Sequence, residues 1–140
     1  MKVNTSERKR RRAEVLDQIV ETIINEAPVP IGAYTISEHS ARHSENIGQK
    51  LAPTQVYRSI TRLVEAGRIT HLVSCNAYAP ARNDPAIHLL CAECNQHQPV
   101  ADDQVAMMLR RMCARSGFTD REIHVELTGL CPDCCARQDA

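Results

Sequence analysis

Tryptophan is absent from this 140-residue chain, and three Tyr and one Phe are its only other large aromatics. So few rings cannot build a base-stacking platform for single-stranded nucleic acid. No apolar run reaches membrane-spanning length, so no membrane partner is expected. The opening segment MKVNTSERKR has no hydrophobic core of the signal-peptide kind, and the expectation is a cytoplasmic protein whose thiols stay reduced. Net charge is lacking too, with 17 Lys and Arg against 17 Asp and Glu. That balance hides an asymmetry. Residues 1–80 hold 11 Lys and Arg against 8 Asp and Glu, while residues 81–140 hold 6 against 9. Two units with different partners are expected, 1–80 and 81–140. No Cys/His or carboxylate pair has a recognisable catalytic spacing, so neither an enzyme nor a small-molecule substrate is expected.

Cysteine, by contrast, is plentiful. Two Cys-x-x-Cys pairs, Cys91/Cys94 and Cys131/Cys134, stand 36 residues apart. Each loop brings two thiolates close enough to grip one ion, and two loops supply the four soft ligands of a tetrahedral zinc. Such an ion pins together the two ends of a small domain. It also leaves no open position for an activated water, which again argues against catalysis. Paired disulfides or a redox Cys-x-x-Cys fit less well. The cysteine count is odd at seven, and no βαβ pattern surrounds either pair. The other potential ligands or reactive groups are His71, Cys75, His88, His97, Cys113, His124 and Cys135.

The first half reads as helices followed by a hairpin. Arg8 to Arg12 is a basic run that is either a solvated helix start or an arm contacting phosphates through Arg10, Arg11 and Arg12. Val15, Leu16, Ile19, Val20, Ile23 and Ile24 recur with helical spacing, and Pro28 and Pro30 end that helix. A second helix begins near Ala33, and His39 to Lys50 is polar enough for a loop or a frayed end. Pro53 opens a third helix, with Val56, Ile60, Leu63 and Val64 as its buried stripe and Gly67 as its stop. Its other face shows Gln55, Tyr57, Arg58, Ser59 and Arg62. That face is either ordinary wet surface or one that reads base edges in a major groove. Ile69, His71 and Val73 then alternate with Thr70 and Leu72, and Ser74-Cys75-Asn76 turns the strand into a return over Ala77 to Ala79. Three helices and a hairpin make a winged helix-turn-helix.

In the second half, Ile87 to Leu90 is a short strand leading into Cys91. Val105, Met108, Leu109 and Met112 form an amphipathic helix whose stripe is core or dimer contact. Ile123, Val125 and Leu127 alternate with Glu122, His124 and Glu126 as a half-buried strand. A strand–helix–strand unit of this size needs a metal staple and a partner subunit.

The run Ala52-Pro53-Thr54-Gln55-Val56-Tyr57-Arg58-Ser59-Ile60-Thr61-Arg62-Leu63-Val64-Glu65-Ala66-Gly67 resembles the recognition helix of the ferric uptake regulator family. Ala33-Tyr34-Thr35-Ile36, Asn76-Ala77-Tyr78 and the two Cys pairs are similar to its zinc uptake branch. The resemblance covers roughly residues 13–135. It implies an α+β fold: a winged helix, then a small α/β dimerisation domain with a four-cysteine zinc site. It implies a homodimeric repressor on double-stranded operator DNA, controlling metal homeostasis genes, with Tyr57 and Arg58 touching the operator and Thr54, Gln55 and Arg62 beside them.

One structural zinc and a second, regulatory divalent ion go with that reading. His88, three residues before Cys91 in a His-Leu-x-Cys pattern, matches a sensing ligand of the family. Other positions depart. Thr70 stands where a His is usual, though His71 is adjacent; Ala81 replaces a Cys; Pro99 stands near an expected acid. The His-rich stretch shrinks to Ala81-Arg82-Asn83-Asp84-Pro85. The candidate regulatory ligands are therefore His71, Cys75, His88 and His97. The alternatives are a zinc-stapled protein-interaction module, or a thiol-redox regulator sensing through Cys75 or Cys113, each without metal sensing.

Overall fold

The computed structural model describes residues 4–43, 49–81 and 87–140, and the chain forms two compact units, Met1–Ala81 and Arg82–Ala140. The shortened segment before the first Cys pair falls mostly outside the described residues.

The first unit is three helices and a wing. Helix α1 (Thr5–Glu26) starts at Asn4, whose side chain accepts from the Ser6 N–H, and it includes the whole basic run. It buries Leu16, Ile19, Val20, Ile23 and Ile24, while Val15, expected on that stripe, is exposed at its margin. Ala27 is extended because Pro28 follows it, which ends the helix. Helix α2 (Ala33–His43) buries Ala33, Ile36, Ser37 and Ser40. The two serines are not orphaned. Ser37 Oγ donates to the Leu51 carbonyl at 2.7 Å, and the Leu51 N–H donates to Ser40 Oγ at 2.8 Å. This small polar network fixes the chain entering the next helix, because buried polar groups left unpaired cost more than the network itself.

Helix α3 (Pro53–Glu65) buries Val56, Ser59, Ile60 and Leu63. Two expectations are corrected here. Val64 is exposed and Ser59 is fully buried. The buried positions run i, i+3, i+4, i+7, and Val64 lies one step beyond that stripe. Gly67, at φ +70°, turns the chain out of α3.

The wing pairs β1 (Ile69–Leu72) with β2 (Ala77–Pro80), antiparallel, across a 3₁₀ turn at Val73–Cys75. The expected alternation stops short. Leu72 is buried and Val73 exposed, because the strand gives way to the turn at that point. Tyr78 extends the sheet by exchanging backbone hydrogen bonds with Ile31, at 2.9 and 3.2 Å. All three helices and the wing close on one core: α1, α2, α3, Leu51, Ile69 and Tyr78 contribute to it.

The second unit has a three-stranded sheet in the order β4-β3-β5. β3 (Ile87–Cys91) is central, antiparallel to β4 (His97–Val100) and parallel to β5 (Val125–Gly129). Helix α4 (Asp103–Arg115), capped by the Asp102 side chain, makes the crossover that a parallel pair requires. Strand β4 and a short final helix α5 (Pro132–Gln138) were not expected. Ile123 lies ahead of β5 rather than in it. The α4 stripe is not core within the chain: Val105, Met108 and Met112 are exposed.

Candidate metal centre and nucleic-acid interface

The Cys-x-x-Cys loops are shaped by their own backbones. The first follows the end of β3, where Asn95 N–H bonds the Cys91 carbonyl at 3.0 Å and Cys91 N–H bonds the Gln96 carbonyl at 2.9 Å. Asn95 makes the reversal at φ +62°, a region Asn tolerates better than most residues. The second loop becomes the first turn of α5, with Pro132 at a helix start that needs no N–H. The Ala92 N–H bonds the Gly129 carbonyl at 2.8 Å, so the parallel pairing of β3 and β5 carries the two loops to the same end of the sheet.

There the sulfurs of Cys91, Cys94, Cys131 and Cys134 all lie within 4.8 Å of one another. Cys94 and Cys131 are 3.7 Å apart. Two sulfurs on a tetrahedral zinc with bonds of about 2.3 Å lie about 3.8 Å apart, so the cluster fits that ion. The electrostatics fit as well. The Cys91 thiol is pulled down to about 6 by the backbone N–H groups of Cys131 and Cys94. Burial pushes Cys134 up to about 12, with crowding by Cys131 adding to it and Arg137 opposing. Four thiols this close cannot all ionise unaided, and a divalent cation among them removes the conflict. Cys135 is exposed and outside the cluster.

On α3 the residues expected to meet DNA divide into two kinds. Tyr57, 43% exposed, and Arg58 lie on the outer face with no side-chain partner among the described residues, and Thr54 is exposed a turn earlier. Gln55 and Arg62 have structural partners. Gln55 Oε1 accepts from the Ala52 N–H at 2.9 Å and caps the helix. Arg62 is held in a fork by Asp17 of α1, with its Nη2 2.6 Å from Asp17 Oδ1, and it also donates to Ser59 Oγ. Arg10 and Arg11 are exposed and pair along α1 with Glu14 and Glu7, and Arg12 is exposed beside them.

The candidate regulatory ligands fall in both units. His71 and Cys75 belong to the first. His71 Nε2 lies 3.1 Å from Asn76 Oδ1 and its ring stacks on Tyr78, while Cys75 sits in the turn of the wing. His88 and His97 belong to the second, where His88 Nδ1 lies 3.0 Å from His97 Nε2. Burial holds His88 below the usual histidine range, His124 pushes the same way, and Glu126 opposes them.

A sequence model of the ferric uptake regulator family matches residues 12–128. The chain belongs to that family. The zinc uptake regulation protein of Mycobacterium tuberculosis is 27% identical over 105 residues, spanning 73% of this chain and 78% of that protein. Among solved structures, holo XcZur is 25% identical with a TM-score of 0.73, covering 86% of this chain and 84% of its own. A zinc uptake regulator complexed with zinc and DNA superposes with a TM-score of 0.78 at 20% identity, covering 99% and 100%. The ferric uptake regulator of Helicobacter pylori follows at 0.63 and 15%, covering 90% and 86%. These likenesses establish the fold: a winged helix-turn-helix, then a small α/β unit with the sulfur cluster.

In this family member one polar group escaped the sequence reading. Glu126 pairs in register with His88 and holds His124, with Nε2 to Oε2 at 2.9 Å. Its signal was present in the strand's alternation, which puts His124 and Glu126 on one face, but the partner across the ladder is visible only in the fold.

Proposed function

We propose that the protein is a zinc-dependent transcriptional repressor that binds double-stranded operator DNA as a homodimer in the cytoplasm, controls metal homeostasis genes and catalyses no reaction. The observation that carries this reading is the exposed face of α3, where the Tyr57 and Arg58 side chains have no partner among the described residues, on a helix braced from behind by α1. A braced helix with free polar side chains is what major-groove reading requires: Arg58 reaches guanine N7 and O6, and Tyr57 touches a thymine methyl or a phosphate. Thr54 and the Arg10–Arg12 run contact phosphates, setting orientation and affinity without reading sequence. Gln55 and Arg62 serve the helix itself. Residues 1–80 carry the DNA contacts, and residues 81–140 the dimer contacts and the structural zinc.

Cys91, Cys94, Cys131 and Cys134 hold the zinc, which supplies folding free energy rather than chemistry. A second copy of the chain covers the apolar surface of the C-terminal unit. Met108, Met112, Phe118 and Leu127 are too exposed there to be left in water, and β5 is an edge strand. A dimer of winged helices reads two half-sites about one helical turn apart, so the operator is an inverted repeat. A footprint of the zinc-loaded protein on DNA upstream of metal-uptake genes tests the reading. Protection of an inverted repeat, lost on prolonged chelation, is expected. No protected sequence under any metal condition overturns it in favour of a protein-interaction module.

A further inference from the structure

We propose that Arg137 is a positioning residue for the structural zinc: its guanidinium holds the Cys134 thiolate in place as a metal ligand and so sets how firmly the cluster keeps its ion. This rests on the four-cysteine zinc of the reading above. Zinc content is measured first, so the two ideas fail separately.

The donors around the sulfurs come from two sources. Cys91 Sγ is served by the backbone, with the Cys131 N–H at 3.3 Å. Cys134 is buried on the first turn of α5 and takes its donor from a side chain. Arg137 Nη2 donates to Cys134 Sγ at 2.9 Å. Residues three apart share a helix face, so α5 is what brings the guanidinium over the sulfur. Carboxylates were open to Arg137 as well. Asp133 lies four residues earlier, at the spacing of a helical ion pair, and Glu93 lines the same cleft. Among the described residues Arg137 forms no ion pair with either carboxylate and donates to the thiol instead.

Charge explains the choice. Four thiolates around a divalent ion leave a net charge of about −2, and an always-protonated guanidinium offsets part of it. A zinc-bound thiolate keeps lone pairs free of the metal, and a charge-assisted hydrogen bond to one of them fixes the ligand's orientation.

The position matters too. A cleft of about 400 Å³, lined by Glu93, Cys94, Cys134, Arg137 and Gln138, opens beside the cluster. A competing ligand that draws zinc away enters on this side, where Cys94 is exposed. Arg137 lines that entry and anchors the buried sulfur next to it.

The test is zinc competition and cobalt(II) substitution on the full chain. Purified wild type should hold one zinc. Against a chromogenic chelator, Arg137→Gln should bind that zinc about tenfold more weakly, as is usual when a group that orients a metal ligand is lost. Gln is a good helix former, so the zinc-loaded variant should keep the wild-type circular dichroism. Arg137→Lys restores the charge and should recover part of the loss. Gln138→Ala, the next residue of α5 and on the same cleft, should match the wild type. In cobalt(II)-substituted protein the thiolate-to-metal charge-transfer band should move to lower energy in Arg137→Gln, because a sulfur without its donor releases charge more readily. It should return toward the wild-type position in Arg137→Lys. A wild type without zinc would overturn the four-cysteine reading and this inference with it. Zinc held as tightly by Arg137→Gln as by the wild type, or an unmoved charge-transfer band, would overturn the role of Arg137 alone and leave the cluster standing. Equal weakening in Gln138→Ala would assign the effect to α5 as a whole and overturn that role as well.

Discussion

Arg62 and Asp17, on different helices, close a forked ion pair in which both carboxylate oxygens accept from the guanidinium at 2.6–3.1 Å. Arg68 and Glu21 repeat the motif one α1 turn later. Together they clamp α3 and the start of the wing against α1, so α3 is held by charge as well as by its apolar stripe. Asp17 is the less exposed partner, and removing it strands the Arg62 guanidinium. Asp17→Ala should therefore destabilise the first unit by about 1–2 kcal/mol. Its thermal midpoint should fall by roughly 4–8 °C per kcal/mol, as in domains of this size. Calorimetry checks this; an unchanged midpoint would show that the pair is only solvated surface. Zinc content should stay at the wild-type level.

The sulfur cluster makes a different prediction. Cys94→Ser should release the structural zinc and unfold the C-terminal unit, because metal binding in such small modules contributes on the order of 10 kcal/mol. Metal analysis beside far-UV circular dichroism reads both effects. Cys135→Ser, outside the cluster, should keep both the zinc and the fold. Full zinc retention in Cys94→Ser would remove that residue from the ligand set.

On DNA, Arg58→Ala should cost roughly 1–3 kcal/mol on the operator and relax base preference at one position of each half-site. Replacing Arg10, Arg11 and Arg12 by Ala should weaken binding to all duplexes alike and flatten the salt dependence, each lost phosphate contact removing about 0.9 from the slope. Gel-shift titrations on operator and random DNA at several salt concentrations separate the two. Intact discrimination in Arg58→Ala would mean that α3 does not read sequence.

Association can be tested on the α4 face. Met108→Glu puts a charge where Met108 is 67% exposed, so the folded chain tolerates it. Burying that charge in an interface is costly, and the dimer dissociation constant should rise at least tenfold in favour of monomer. Sedimentation equilibrium is the measurement. A dimer as tight as the wild type would place the interface elsewhere.

Much of this was legible in the chain itself. Helical spacing located α1 and α3, Pro28 and Gly67 ended them, and the Cys-x-x-Cys spacing named the four sulfurs that the fold gathers. These signals are local: a cap, a period and a chelating loop act within a turn or two of sequence. Strand β4 was not legible, since His-Gln-Pro-Val offers neither alternation nor a run of β-branched residues. It is a strand because β3 supplies its ladder.

Tertiary structure alone decided how the polar residues divide their duties. Arg58 and Arg62 look alike in sequence, one helical turn apart. Only the packing of α3 on α1 commits Arg62 to Asp17, 45 positions earlier, and leaves Arg58 exposed. Likewise Pro99, His97 and Glu126 are unremarkable singly. Pairing on either side of β3 sets Pro99 and Glu126 opposite His88 and brings His97 within reach of its ring. Periodicity fixes which way a side chain points from its own element. What it meets there depends on contacts between distant segments, and a single sequence carries no local signal for those.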